Sequence, residues 1–301
     1  MNIFLTGATG YVGNGIAQAL QRADHEVVGL TRSDAGVARL QAQGIRPLQG
    51  DLTDLELIAQ AAREADAVIH AASSNNADTP KVDTQAVETI LSALAGSHKP
   101  FIYTSGSWVV GSQPEGLVAD EEQPPAPPMI VAWRPMLEQR IRAATERGVH
   151  GIVLRPGPVY GHGGGIPGML VHFARQEGVS RTIGNGENMW TVVHRDDLAD
   201  AYVRALTLAP AGMVLNIVSE PAVSFRAVAQ AIAAGCGLDR PIEVWQESAA
   251  RQVLGPLVDA LLLNQQISGA RARAILKWTP QAPSILEELE YGSYRFQGHS
   301  A

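Results

Sequence analysis

The chain has 301 residues, enough for one large or two modest domains, and its 46% apolar and 18% charged residues make an ordinary globular composition. The formal net charge is -7 and the basic residues are scattered, only Lys81, Lys99 and Lys277 being lysines, so no basic stripe exists to neutralise nucleic-acid phosphates. One cysteine, Cys236, excludes an internal disulfide framework or a cysteine-rich zinc site, and no apolar run approaches the roughly 18 to 20 residues that span a bilayer.

Met1-Asn2 runs directly into Ile3-Phe4-Leu5 with no charged region and cleavage site ahead of it, so a cytoplasmic location without membrane contact is expected. That first short strand ends in Thr6-Gly7-Ala8-Thr9-Gly10-Tyr11-Val12-Gly13, and a helix follows over Gly15 to Arg22 with Ile16, Ala19 and Leu20 on one face. Four more strands alternate with helices: Glu26 to Leu30, Pro47 to Gln49, Ala67 to His70 and Phe101 to Thr104, separated by helices over Ala35 to Gln43, Leu55 to Glu64 and Thr84 to Leu94. A Pro-, Glu- and Gly-rich loop spans Gly111 to Pro128, then a helix runs from about Trp133 to Arg147, with Pro135 tolerable in its first turn. Gly151 to Arg155 is a sixth strand, and further helices lie near Pro167 to Glu177, Asp197 to Leu208 and Ser224 to Ala234. Short apolar strands alternating with amphipathic helices predict an α/β Rossmann-type fold, a doubly wound parallel sheet buried on both faces. Residues 1–160 form the expected dinucleotide-binding core, returning through about 190–218, with a smaller mixed substrate region over 161–301.

The glycine turn carries the strongest chemical signal. Gly7, Gly10 and Gly13 lie between a strand and a helix, where one glycine permits a left-handed turn, one lets backbone approach a pyrophosphate, and one lets helix and strand pack closely. The helix N-terminus beyond offers free N–H groups to phosphate. Thr9, Tyr11 and Val12 share that turn. At the end of the second strand, where an acidic residue would bind the ribose of NAD, stands Leu30-Thr31-Arg32-Ser33. Arg32 can pair with a 2′-phosphate, which favours NADPH over NADH. Asp51 is a candidate partner for the adenine amino group or a helix N-cap, beside Leu52. Ala71, Ala72 and Ser73 are expected along the central ribose and phosphates, with Thr104, Arg134, Pro156 and Val159 as further cofactor contacts.

Thr6 to Gly13, Gly50-Asp51-Leu52, His70-Ala71-Ala72, Tyr103-Thr104-Ser105-Gly106 and Arg155-Pro156-Gly157-Pro158-Val159-Tyr160-Gly161 resemble the extended and atypical short-chain dehydrogenases/reductases, of the NAD-dependent epimerase/dehydratase kind. Val193-His194-Arg195-Asp196-Asp197-Leu198-Ala199 and Lys277-Trp278-Thr279-Pro280 are similar to later motifs of that group, so the resemblance covers nearly the whole chain. It implies a Ser or Thr after the fifth strand, a Tyr about 25 residues on as general acid/base, and a Lys four residues after it. Here the tyrosines are at 11, 103, 160, 202, 291 and 294, and neither Tyr nor Lys lies between Ser105 and Arg147. With Glu138 as the family's glutamate, Ile130 and Arg134 take the Tyr and Lys places and Gly106 the hydroxyl's, with Ser105 and Ser107 on either side. An arginine keeps its proton at neutral pH and suits holding ribose or phosphate, not donating a proton.

The remaining candidates for proton transfer or carbonyl polarisation are therefore Ser105, Ser107, Tyr160 and His162, histidine being the side chain that titrates near neutrality. His194 is weighed too, with Asp196 or Asp197 capping the following helix. Trp108, Trp133, Met169, Met189 and Trp190 are candidate pocket walls, while Arg175, Arg181 and Arg195 are the cations a nucleotide-sugar pyrophosphate would need. No cluster has convincing metal spacing. The sequence reads as an NADPH-dependent oxidoreductase acting on a small, fairly apolar carbonyl compound. The alternatives are an NADP-binding sensor without catalysis and an epimerase or dehydratase using bound cofactor; the resemblance also implies a possible homodimer.

Overall fold

The computed structural model describes residues 1–295 apart from 75 and 220. Its seven-stranded sheet is built from β1 (Asn2–Thr6), β2 (Glu26–Thr31), β3 (Arg46–Gln49), β4 (Ala67–His70), β5 (Pro100–Thr104), β6 (His150–Pro156) and an edge strand, Met213–Ile217. In space the order runs from that edge strand through β6, β5, β4, β1 and β2 to β3, and every pairing is parallel. The six anticipated strands are all present. The seventh was missed as a strand because Met213-Val214-Leu215 follows a helix that looks like the close of the core.

Alternation along each strand divides the core between two faces. Ile3, Leu5, Ile69, Ile102 and Leu154 pack with Ile16 and Leu20 of α1 (Tyr11–Arg22) and with Leu198, Ala201 and Tyr202 of α7 (Arg195–Leu208). Phe4, Val68, Phe101, Tyr103 and Val153 face the opposite way, onto α3 (Leu55–Glu64), α4 (Thr79–Ala93) and α5 (Arg134–Ala143). A separate, smaller core gathers residues between Tyr160 and Tyr294, with Trp190 stacked on Phe225 at 4.6 Å between ring centres.

Besides α1, which starts at Tyr11 and not at Gly15, two helices depart from expectation for local reasons. α4 starts five residues early because Pro80, lacking an N–H, is tolerated in a first turn whose N–H groups have no intrahelical partner. α5 ends at Ala143 and tightens into a 3₁₀ turn, Ala144–Arg147, closed by left-handed Gly148. Among the described residues no helix is long and apolar enough to cross a membrane.

Candidate functional site

Reading outward from the sheet centre, chain direction changes sides at β1 and β4, whose ends Thr6 and His70 are in register. Such switch points leave a crevice at the carboxyl ends of the strands. Here it is a cavity of about 560 Å³. Gly7, Thr9, Gly10, Tyr11 and Val12 line it, with Arg32, Asp51, Leu52, Ala71, Ala72 and Ser73.

The glycines are required by geometry. Gly7 has φ +77°, and a Cβ there would sit 2.6 Å from the Ala71 carbonyl oxygen. A Cβ on Gly13 would lie 2.1 Å from the Gly7 carbonyl oxygen, so α1 can lie against the turn only without one. Gly10 is the N-cap of α1 and offers no side-chain hydrogen bond, leaving the first amides of a 12-residue helix free towards the crevice. A cradle that bare backbone fills, with an uncapped helix end behind it, fits a pyrophosphate group.

At the far end of the crevice the Arg32 side chain is 73% exposed, its Nε 3.9 Å from Asp51 Oδ2. Ser33 is committed elsewhere, accepting from the Gly36 amide as the cap of α2 (Asp34–Ala42). Asp51 is no helix cap; Asp54 holds that place for α3, and Asp51 Oδ1 accepts from the Thr53 amide and hydroxyl.

Two further cavities adjoin the crevice. Thr104, Arg134, Pro156 and Val159 line one of about 220 Å³, together with Val12, Ser105, Gly106, Ser107 and Trp108. The other, about 620 Å³, is walled by Pro80, Trp108, Met129, Ile130, Val131, Trp133 and Pro256, and meets the crevice at Ser73 and Asn76. Arg134 belongs to both and is the one charged residue among the described residues lining either.

The hydroxyls around this junction are already engaged. Ser105 Oγ donates to Glu138, whose carboxylate also takes Arg155 Nη2 at 2.5 Å in a pair about 5% exposed. Ser107 Oγ donates to Gln265 Oε1 at 3.3 Å, and Gln265 Nε2 returns to the Ser107 and Gly111 carbonyls.

Tyrosine supplies nothing in their place. Tyr160, a candidate acid, is buried in the smaller core and donates to the Pro283 carbonyl at 2.8 Å; burial pushes its hydroxyl up, and it lines none of these cavities. Tyr11 donates to the Gly161 carbonyl, Tyr103 to Asp83 and Tyr294 to the Gly164 carbonyl, while Tyr202 pairs with Thr104 and Tyr291 is exposed.

His162 lies outside the cleft as well, its Nε2 on Asp196 Oδ2 at 2.8 Å. His194, not Asp196 or Asp197, caps α7 by accepting the Asp196 amide, and Asp197 instead takes the Gln281 and Ala282 amides. His162, His194 and Asp196 do stand within reach of one cation, a cluster with no regular sequence spacing.

The wall candidates divide in the same way. Trp108 and Trp133 face the large cavity. Trp190 is a core residue, 4% exposed, donating to the Leu261 carbonyl, and neither Met169 nor Met189 lines the cleft. Arg175, Arg181 and Arg195 point elsewhere, to the Tyr294 carbonyl, to Glu177 and Glu243, and over the Tyr11 ring.

Sequence reasoning missed Asp83, which gathers His70 Nε2, Tyr103 and Trp133 Nε1 at 2.9, 2.7 and 2.6 Å beneath the cleft. Burial alone would push this carboxyl up; the bonds from His70, Trp133 and Tyr103 outweigh it and hold the group below its ordinary value. An aspartate among the apolar residues of α4 was the available signal. Met129, Ile130 and Val131, an apolar triplet straight after the proline run, signalled the other wall.

Comparison with known proteins settles the family. The model of the NAD dependent epimerase/dehydratase family matches residues 3–217. The chain belongs to that family. It is 33% identical to an uncharacterized protein of Schizosaccharomyces pombe, over 98% of this chain and all of the other. It is 30% identical to a 2-alkyl-3-oxoalkanoate reductase of Stenotrophomonas maltophilia, over 70% of this chain and 67% of the relative. The UDP-glucose 4-epimerase of Thermus thermophilus, solved with NAD, superposes with a TM-score of 0.80 at 21% identity, covering 99% and 100% of the two chains. That likeness is one of fold.

Proposed function

We propose that this family member is an NADP(H)-dependent oxidoreductase whose substrate is a fairly apolar carbonyl compound. The observation that carries the reading is one continuous cleft in which the glycine cradle and Arg32 lie at one end and a large apolar cavity, with a single cation, at the other. Gly7, Gly10, Gly13 and the α1 amides hold the pyrophosphate. Arg32 takes the 2′-phosphate, Asp51 and Leu52 border the adenine, and Ala71, Ala72 and Ser73 follow the central ribose. Thr104, Arg134, Pro156 and Val159 border the nicotinamide end. When bound, the reduced ring supplies a hydride; Trp108, Ile130 and Trp133 orient the substrate. Support also comes from the 2-alkyl-3-oxoalkanoate reductase among the relatives, whose named substrate joins an alkyl chain to a ketone.

NADPH oxidation by the purified protein against a panel of apolar ketones and oxo acids tests this. Turnover of at least one such compound, with nucleotide sugars inactive, is expected; no turnover across the panel overturns it. The absence of any free tyrosine hydroxyl at the cleft favours one other reading, a dinucleotide-binding sensor without catalysis, which the same panel separates.

A further inference from the structure

Gly106 occupies the place where the family resemblance puts a catalytic hydroxyl, and the structure fills that place with something else. Its backbone is extended, so any residue type would be tolerated conformationally. Yet a Cβ there would sit 3.0 Å from Arg134 Nη1. The guanidinium therefore stands in the volume that a side chain at 106 would enter. It is fixed there by a hydrogen bond from Nη1 to the Ser105 carbonyl and by the Trp133 ring, 5.5 Å from Cζ.

That fixing leaves the group incompletely satisfied. Among the described residues no carboxylate pairs with Arg134, and its Nε is a buried donor without a partner. Arg134 lines both cavities beside the crevice, so an acceptor that a ligand brings there can pair with the guanidinium. Arg134 is also the first residue of α5, where the helix end adds partial positive charge and no side chain caps it. Ile130, in the 3₁₀ turn Met129–Val131 ahead of α5, has no proton to give.

Resting on the oxidoreductase reading above, we propose that Arg134 is the catalytic residue that holds the substrate oxygen, and that the substrate is an apolar ketone or oxo acid stabilised by charge and not by proton donation. As the carbonyl carbon receives its hydride, the C=O π pair moves onto oxygen. The guanidinium holds that oxygen until it takes a proton from solvent water, leaving hydroxide to the buffer. An arginine keeps its charge across the range in which a tyrosine acid would titrate, so kcat/KM lacks the alkaline limb of a tyrosine.

The test needs no turnover. Cinnamate presents a planar apolar body with an anionic oxygen, and cinnamamide the same body without charge. Calorimetry on the protein, with and without NADP+, is expected to show cinnamate binding about tenfold tighter, the scale of one charge-assisted hydrogen bond. Arg134→Gln is expected to abolish the preference and Arg134→Lys to keep part of it. Should Arg134→Gln not fold, Arg134→Met makes the same test, because it keeps the aliphatic stem and removes the charge. Equal affinity of the two ligands for the wild type, or a preference that survives in the folded variant, overturns the proposal. Failure of the wild type to bind any dinucleotide is a different result, and overturns the oxidoreductase reading instead.

Discussion

Gly13 and Gly15 lie in the same helix, two residues apart, and replacing each by alanine separates packing from propensity. Both changes gain up to about 1 kcal/mol of intrinsic helix stability. At Gly15 the new methyl meets the Arg195 side chain at 3.1 to 3.2 Å, a contact that a shift of a few tenths of an ångström relieves. At Gly13 it meets the Gly7 carbonyl oxygen at 2.1 Å and the carbonyl carbon at 2.6 Å, both backbone of the turn itself. Ordinary contact needs more than 3 Å, so α1 must move off β1 by about 1 Å, an overpacking that typically costs about 1 to 3 kcal/mol. In a chain of 301 residues that is a fall in Tm of roughly 2 to 5 °C. The same movement withdraws the free α1 amides from the pyrophosphate cradle, so dinucleotide affinity falls at least tenfold. Thermal melts with and without NADPH read both effects. Gly15→Ala is expected to melt within about 2 °C of the parent and to keep its nucleotide-induced shift. Identical behaviour of the two variants, with nucleotide binding intact in Gly13→Ala, would refute the close-approach argument.

Other consequences are as definite. Glu138→Ala leaves Arg155 buried and unpaired and should cost about 3 to 5 kcal/mol, whereas the double change Glu138→Leu with Arg155→Leu should cost only the roughly 1 to 3 kcal/mol of the Ser105 hydroxyl it orphans; denaturant unfolding of both decides. His194 is held below the ordinary histidine value of 6.5, chiefly by burial, with Asp196, Glu288 and Asp197 opposing and His162 assisting. The unfolded chain therefore takes up that proton first, so stability is full above about pH 6.5 and declines as the pH falls below it. His194→Asn, which can still cap the Asp196 amide, should flatten that decline; an unchanged slope contradicts the assignment.

The sheet was legible because period-two apolar runs and glycine turns are local, and the crevice residues follow one another along strands whose order the Rossmann pattern dictates. Gly7, Arg32, Asp51 and Ala71 line a single cavity for that reason. What local pattern could not convey is where a side chain spends its hydrogen bonds. Ser105 turns to Glu138, 33 residues away, and Tyr160 to Pro283, 123 residues away, so each candidate hydroxyl has a partner that the local sequence does not show. Trp190 and Trp133 are equally aromatic, yet one stacks in a core and the other faces a cavity, a difference set by packing of segments distant in sequence. At Gly106 the sequence does not show that the Arg134 guanidinium occupies the space a side chain would enter.

The central claim is that the crevice binds a phosphorylated dinucleotide through Arg32. A fluorescence titration of the wild type and Arg32→Glu with NADPH and NADH tests it most directly. NADPH is expected to bind the wild type at least tenfold more tightly than NADH, with that preference lost in the variant, the scale of a charge-assisted contact to the 2′-phosphate. Equal affinities in the wild type would remove the NADP assignment, and binding of neither nucleotide would contradict the account as a whole.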